Sequence, residues 1–140
     1  MLYELNFYTN SGEIYREKFF IGLFFTREEA ENTKKYYRTS VAGFHEYPCE
    51  AEIKEITVIG DGEYSEVFHF TGWNEDENGN EIDIFYSDYY VSKMQAQTLY
   101  KKTQKTIHRT EWAFNRTPIG KHYWEEGFFR YDPQTYEITK

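Results

Sequence analysis

Rings dominate the apolar inventory of this chain: phenylalanine, tyrosine and tryptophan make up 21% of its 140 residues, as twelve Phe, fourteen Tyr and three Trp. Any core must therefore be assembled largely from aromatic side chains, and tyrosine hydroxyls drawn into it need hydrogen-bond acceptors. So much ring surface can offset the entropy of ordering the backbone, which argues for a folded domain and against disorder.

The length fits one α+β domain spanning residues 1 to 140, large enough to bury a core without disulfides or a structural metal. Cys49 is the only cysteine, so neither an intramolecular disulfide nor a thiolate cluster is available, and a reducing compartment is expected. The opening residues lack a basic segment followed by an apolar one, and no stretch reaches the roughly 18 apolar residues that cross a bilayer. These features place the protein in the cytoplasm, of a bacterium or of a phage-infected host, with no membrane partner.

Periodicity supplies the elements. Residues 2 to 9 alternate apolar and polar positions, and Asn10-Ser11-Gly12-Glu13 supplies a turn before a second β-rich run, which predicts a hairpin. Thr26-Arg27-Glu28-Glu29 has the form of a capping box, so a helix should begin there and continue to about Arg38. Ala30, Thr33 and Tyr37 fall on its inward stripe, and Glu31 is spaced to pair with Lys35. After Tyr47-Pro48, residues 49 to 60 read as one strand. Residues 63 to 73 and 81 to 90 read as two more, joined across Asn74–Asn80 by an Asn-Gly hairpin signal. In the second of these, alternation puts Ile82, Ile84 and Tyr86 on one face and Glu81, Asp83 and Phe85 on the other. Ser92 can cap a second helix to about Ile107, with Ala96, Leu99, Tyr100, Thr103 and Ile107 inward and Lys101, Lys102 and Lys105 outward. Residues 108 to 129 are aromatic but aperiodic, which predicts a packed loop or a short helix. A last hairpin turns at Asp132-Pro133-Gln134-Thr135. The order ββαβββαββ describes a mostly antiparallel sheet packed by two helices in one domain.

Three stretches resemble a family of small, uncharacterised bacterial and phage proteins. They are Gly22-Leu23-Phe24-Phe25-Thr26-Arg27-Glu28-Glu29-Ala30 at a helix start, Gly43-Phe44-His45-Glu46-Tyr47-Pro48 before a strand, and Trp124-Glu125-Glu126-Gly127-Phe128. The likeness covers roughly residues 15 to 59 and 124 to 128 and is interrupted by an insertion of about residues 60 to 120. It implies a shared α+β core. The family carries no known activity, so it implies no catalytic residue.

Charge is segregated. From Glu50 to Asp88 twelve acidic residues stand against Lys54 alone, whereas Tyr89 to Lys140 holds nine basic and five acidic residues, within a total of −8. Such a field steers basic partners and repels polyanions, which disfavours direct nucleic-acid binding despite the lysine face and nearby rings of residues 101 to 124. Carboxylates on one face of a strand recur every ~7 Å, comparable with the phosphates of a single nucleic-acid strand. Glu50 with Glu52, or Glu81 with Asp83, could therefore occupy a basic channel.

Catalytic patterns are sparse. Neither a phosphate-cradling glycine loop nor a nucleophile elbow occurs, and Cys49 lacks an activating cation nearby in sequence, so no cofactor is expected. Asn74, Asp76, Asn78 and Gly79 resemble half of a calcium loop, but Phe85 stands where a bidentate glutamate is needed. His108 and Glu111, with His122, form a possible metal-hydrolase or nuclease site. The leading expectation is a non-enzymatic protein-interaction module, an inhibitor of the anti-CRISPR or anti-restriction type. It would bind a nucleic-acid-binding enzyme through Glu50, Glu52, Glu75, Asp76, Glu77, Glu81 and Asp83. A self-associating housekeeping domain is the third reading.

Overall fold

A computed structural model describes residues 1–10, 16–131 and 138–139. The fold is α+β with mostly antiparallel sheets. The expected turns at residues 11–13 and 132–135 lie outside the described residues. Within this fold the chain divides into two compact units, the first from Met1–Ile56 with Gly120–Lys140 and the second from Thr57–Ile119.

In the first unit β1 (Leu2–Asn10) lies between β2 (Arg16–Phe24) and β3 (Cys49–Ile56), antiparallel to both. α1 (Arg27–Ser40) starts from Thr26 as its N-cap: Thr26 Oγ1 accepts the Glu29 amide at 3.1 Å, and its hydroxyl donates to the Glu29 carboxylate, also at 3.1 Å. Ala30, Thr33 and Tyr37 are buried as the helical stripe predicts. Glu31 pairs with Lys34 at 2.8 Å and approaches Arg27 at 4.0 Å, so the expected Lys35 partner is displaced by a residue one position earlier. On β3, Cys49, Ala51 and Ile53 pack against the core and Glu50, Glu52 and Lys54 face outward, the alternation of a strand with one wet face.

This core is an assembly of rings. Phe44 contacts Phe7 at 5.0 Å, Phe19 at 5.3 Å, Tyr37 at 5.4 Å and Phe128 at 5.0 Å between centroids. The buried Tyr37 hydroxyl donates to the Tyr123 carbonyl at 2.6 Å, which meets the requirement that a buried phenol be satisfied. Burial pushes that phenol well above its ordinary range. Residues 120 to 128 run along the sheet's rim. Gly120 N–H donates to Leu23 O at 2.7 Å and Tyr123 N–H to Ile21 O at 2.8 Å, which satisfies part of the otherwise open edge of β2. The chain then turns so that Phe128 N–H bonds Ala42 O at 3.0 Å. Two glycines permit that contact: a Cβ on Gly43 would meet the Phe128 ring at 2.6 Å, and one on Gly127 would stand 2.0 Å from Ala42 O. β9 (Arg130–Tyr131) and β10 (Ile138–Thr139) form a separate antiparallel pair.

The second unit holds β4 (Val58–Ile59), β5 (Glu66–Glu75), β6 (Glu81–Tyr86), β7 (Tyr89–Tyr90), α2 (Lys93–Thr106) and β8 (Glu111–Pro118). The run expected as one strand over 49 to 60 is broken at Thr57, where the chain leaves the first unit. Residues 81 to 90 are likewise divided, because Ser87 folds back on Phe70, its hydroxyl accepting the Phe70 amide at 2.8 Å and its amide donating to Phe70 O at 3.0 Å. The strands run in the order β4-β7-β5-β6, with β8 on the other side of β5 and a single parallel pairing between β4 and β7. α2 starts from Ser92, whose hydroxyl accepts the Gln95 amide, and its Ala96, Leu99 and Tyr100 join Phe68, Phe70, Phe85, Trp112 and Phe114 in a second ring-built core.

β8 corrects the expected loop. Trp112 and Phe114 lie two residues apart, opposite Gly72 and Phe70, and a Cβ on Gly72 would meet the Trp112 ring at 2.6 Å. A strand glycine here makes room for a ring.

The glycine requirement has a measurable consequence. Gly127 and Gly120 both adopt positive φ, +76° and +85°, but a Cβ on Gly120 meets nothing within 4 Å. Gly120→Ala should cost about 1–2 kcal/mol from backbone conformation alone, and Gly127→Ala more than about 3 kcal/mol because carbonyl overlap is added. Urea unfolding of the two variants checks this, and equal losses would contradict the proposed seating of Phe128.

Candidate protein-docking edge

The acidic sequence between β5 and β6 builds its own turn. Asp76 Oδ1 accepts the amides of Asn78 at 2.8 Å and Asn80 at 2.9 Å, Oδ2 accepts the Asn80 side chain at 3.1 Å, and Asn80 O receives the Asp76 amide. These bonds favour the charged carboxylate and hold its pKa below the usual aspartate value, the backbone bond from Asn80 contributing most. Asp76 is therefore a structural residue of the turn, and its oxygens are engaged in ordering the loop that resembled a calcium site. Asn74, the first of that calcium-like set, accepts the Thr110 amide at 3.0 Å and donates to Asp83 at 3.2 Å.

Around this turn β5 and β6 bring four of the expected contact residues together. Glu75 lies directly across from Glu81, Glu77 projects from the tip, and Asp83 follows on β6; all four are exposed. Among the described residues no ion pair engages any of them, nor Lys101, Lys102 or Lys105. Like charges in direct cross-strand register are unfavourable by some tenths of a kcal/mol, so the hairpin carries an uncompensated negative field.

Regular alternation fails on β6. Gly72 faces Phe85 and Asn74 faces Ile82, leaving Asp83 and Ile84 together against Trp73. This β-bulge places Ile82 and Phe85, three residues apart, on one face, because their partners on β5 are two apart. The expected grouping of Ile82, Ile84 and Tyr86 on one side is thus corrected. Asp83 has φ of 52°, a conformation that aspartate tolerates better than most residues. Arg109 donates from Nε to the Asp83 carbonyl and from Nη1 to the His108 carbonyl, so the bulge is tied to the segment that leads into β8. Arg109 and Thr110 escape a sequence reading because their partners lie some thirty residues away and obey no local spacing. Ile82, Ile84 and Tyr86 are all exposed, at 40%, 38% and 61%.

Glu50 and Glu52 lie elsewhere, on β3 of the first unit, where two-residue spacing on one face is kept. Glu52 accepts the Tyr8 hydroxyl at 3.4 Å. The acidic stretch that is continuous in sequence is therefore divided between two sheets.

Among the described residues no three His, Cys, Asp or Glu side chains group in a way that could hold a metal ion. His108 and Glu111 are exposed residues of the second unit, whereas His122 belongs to the first, edge-on to the rings of Phe24 at 5.8 Å and Tyr37 at 6.1 Å and 3.6 Å from Glu125. No helix among the described residues is long and apolar enough to cross a membrane.

His69 is the fourth notable group. On β5 its Nε2 lies 3.1 Å from Thr117 Oγ1 and its ring 4.6 Å from that of Tyr89; burial lowers its pKa to about 4. Comparisons with known protein families, curated proteins and solved structures find no match for this chain.

The His69 environment sets a pH dependence. Below its ordinary pKa of 6.5 the unfolded chain binds a proton that the folded state refuses until about pH 4. Stability therefore falls as pH drops through that window, by about 2 kcal/mol between pH 7 and pH 5. His69→Gln should lose about that much less than wild type over the same interval in chemical unfolding, and equal losses would show that His69 titrates normally.

Proposed function

We propose that this protein is a non-enzymatic, acidic interaction module that binds a protein partner through the β5–β6 hairpin. The observation that carries the reading is the facing pair Glu75 and Glu81, exposed and without an ion-pair partner, beside the exposed Ile82, Ile84 and Tyr86. An unneutralised carboxylate pair next to apolar side chains is complementary to a surface that offers lysine or arginine beside apolar contacts. Nucleic-acid-binding enzymes present such basic surfaces. An inhibitor of the anti-CRISPR or anti-restriction type, produced by a phage or mobile element and acting in the cytoplasm, fits this chemistry. Glu75, Glu77, Glu81 and Asp83 are its contact residues, with Asp76 shaping the loop that presents them. Glu50 and Glu52 offer a separate acidic strand with the spacing suited to a basic channel.

The test compares affinity capture from the native host by wild type and by the combined variant Glu75→Gln, Glu77→Gln, Glu81→Gln and Asp83→Asn, in low and high salt. A partner retained by wild type at low salt should bind the variant about tenfold or more weakly and be released from wild type by salt. Retention indifferent both to the four substitutions and to salt would overturn the proposal.

A further inference from the structure

Three asparagines stand at the β5–β6 turn, and their surroundings differ. Asn74 donates to Asp83 and accepts the Thr110 amide, and the Asn80 side chain donates to Asp76 Oδ2 at 3.1 Å. Among the described residues no hydrogen bond engages the side-chain amide of Asn78, which is exposed. Their successors differ too: Glu75 and Glu81 follow Asn74 and Asn80, whereas Gly79 follows Asn78. Gly79 is exposed, with φ of 79°, and a Cβ built on it meets nothing within 4 Å. The backbone nitrogen beside the Asn78 amide carbon therefore carries no side chain to shield it, and the space where one would stand is open. Asparagine is among the thermally labile residues, because its amide carbon can be attacked by the next backbone nitrogen to close a five-membered ring.

We infer that Asn78 is a self-modification site, at which the Gly79 nitrogen converts the side-chain amide into a carboxylate. Solvent hydroxide takes the Gly79 N–H proton, and the nitrogen forms a bond to Asn78 Cγ. The Cγ–Nδ2 bond breaks, and ammonia leaves with a proton from water. Water then opens the cyclic imide at either carbonyl, giving aspartate in ordinary linkage or isoaspartate, in which the main chain runs through the side-chain carbons. The sum exchanges one amide and one water for a carboxylate and ammonium, with no change of oxidation state. The turn restrains the first step. Gly79 N–H donates to Asp76 O at 3.1 Å, while the Asn78 and Asn80 amides donate to Asp76 Oδ1. Attack requires the Gly79 bond to open, so the Asp76 network holds the nucleophile back and local opening of the tip sets the rate. Either product adds a negative charge near Glu75, Glu77 and Glu81. Isoaspartate also lengthens the backbone inside the loop that the Asp76 amide closes on Asn80 O at 2.9 Å. The charge and shape of the tip thus change as the molecule ages. The effect of that change on a partner rests on the acidic-docking reading above, whereas the chemistry at Asn78 does not.

The experiment incubates the full-length protein in mildly alkaline buffer made with heavy-oxygen water and follows peptide maps by mass spectrometry. The peptide holding the turn should gain the mass of amide-to-acid conversion with one heavy oxygen and separate into two isomers. Fragment ions should place the change at position 78, with severalfold more conversion there than at Asn74 or Asn80. Asn78→Gln should suppress it, because its longer side chain closes a less favourable ring, and Asp76→Ala should hasten it severalfold by releasing the Gly79 amide. An Asn78 that stays unmodified, or conversion spread equally over the three asparagines, overturns the inference. Equal conversion in wild type and Asp76→Ala overturns the restraint by the turn. None of these measurements involves a partner, so their failure is distinct from a failure of acidic docking.

Discussion

The first unit depends on the seating of Phe128 against Gly43. That contact joins the end of the unit to the turn after α1 across the whole length of the inserted second unit, and it is fixed by a ring filling the volume a side chain would take. Phe19, Phe44 and Tyr47 surround the same ring at 4.8, 5.0 and 5.6 Å. Phe128 is itself only half-buried, so what it fixes is the approach of the two chain segments more than a large share of buried area. Gly43 and Gly127 are thus packing requirements of this contact.

The inserted unit repeats the same solution independently. Its helix brings Tyr100 onto Phe70 at 5.1 Å and Phe114 at 5.4 Å, and Trp112 fills the space over Gly72. With each sheet covered by its own helix and rings, the β5–β6 hairpin can extend its acidic tip without a share in either core. Its order comes from polar bonds: Asp76 shapes the turn, while Asn74, Arg109 and Thr110 brace the bulge. An exposed surface held in shape by hydrogen bonds is ordered before any partner arrives, which lowers the entropy that binding would otherwise cost.

The division of the acidic stretch changes what its charge can do. As a sequence it reads as one field of twelve carboxylates, but Glu50 and Glu52 lie on β3 of one sheet whereas Glu75, Glu81 and Asp83 lie on the β5–β6 hairpin of another. The hairpin combines charge with exposed apolar side chains, and this combination makes it the stronger docking candidate.

Local chemistry was legible in the linear order of residues. Thr26 and Ser92 cap their helices through bonds three residues away, Ala30, Thr33 and Tyr37 turn inward at helical spacing, and the Cys49–Lys54 alternation separates core from solvent. Each of these is set by neighbours within about one turn or two strand positions. The pairing of Trp112 and Phe114 with Gly72 and Phe70, the bulge at Asp83, the break at Thr57 and the replacement of Lys35 by Lys34 beside Glu31 were decided only by the tertiary structure. Most of these depend on distant partners, such as Arg109 beyond α2 or Gly72 across the sheet, and the Glu31 pair on how one side chain reaches its neighbours. The sequence by itself determined the ring-built α+β character and the presence of strong negative charge. Tertiary packing determined where that charge gathers, because only strand register and chain crossing decide which carboxylates become neighbours.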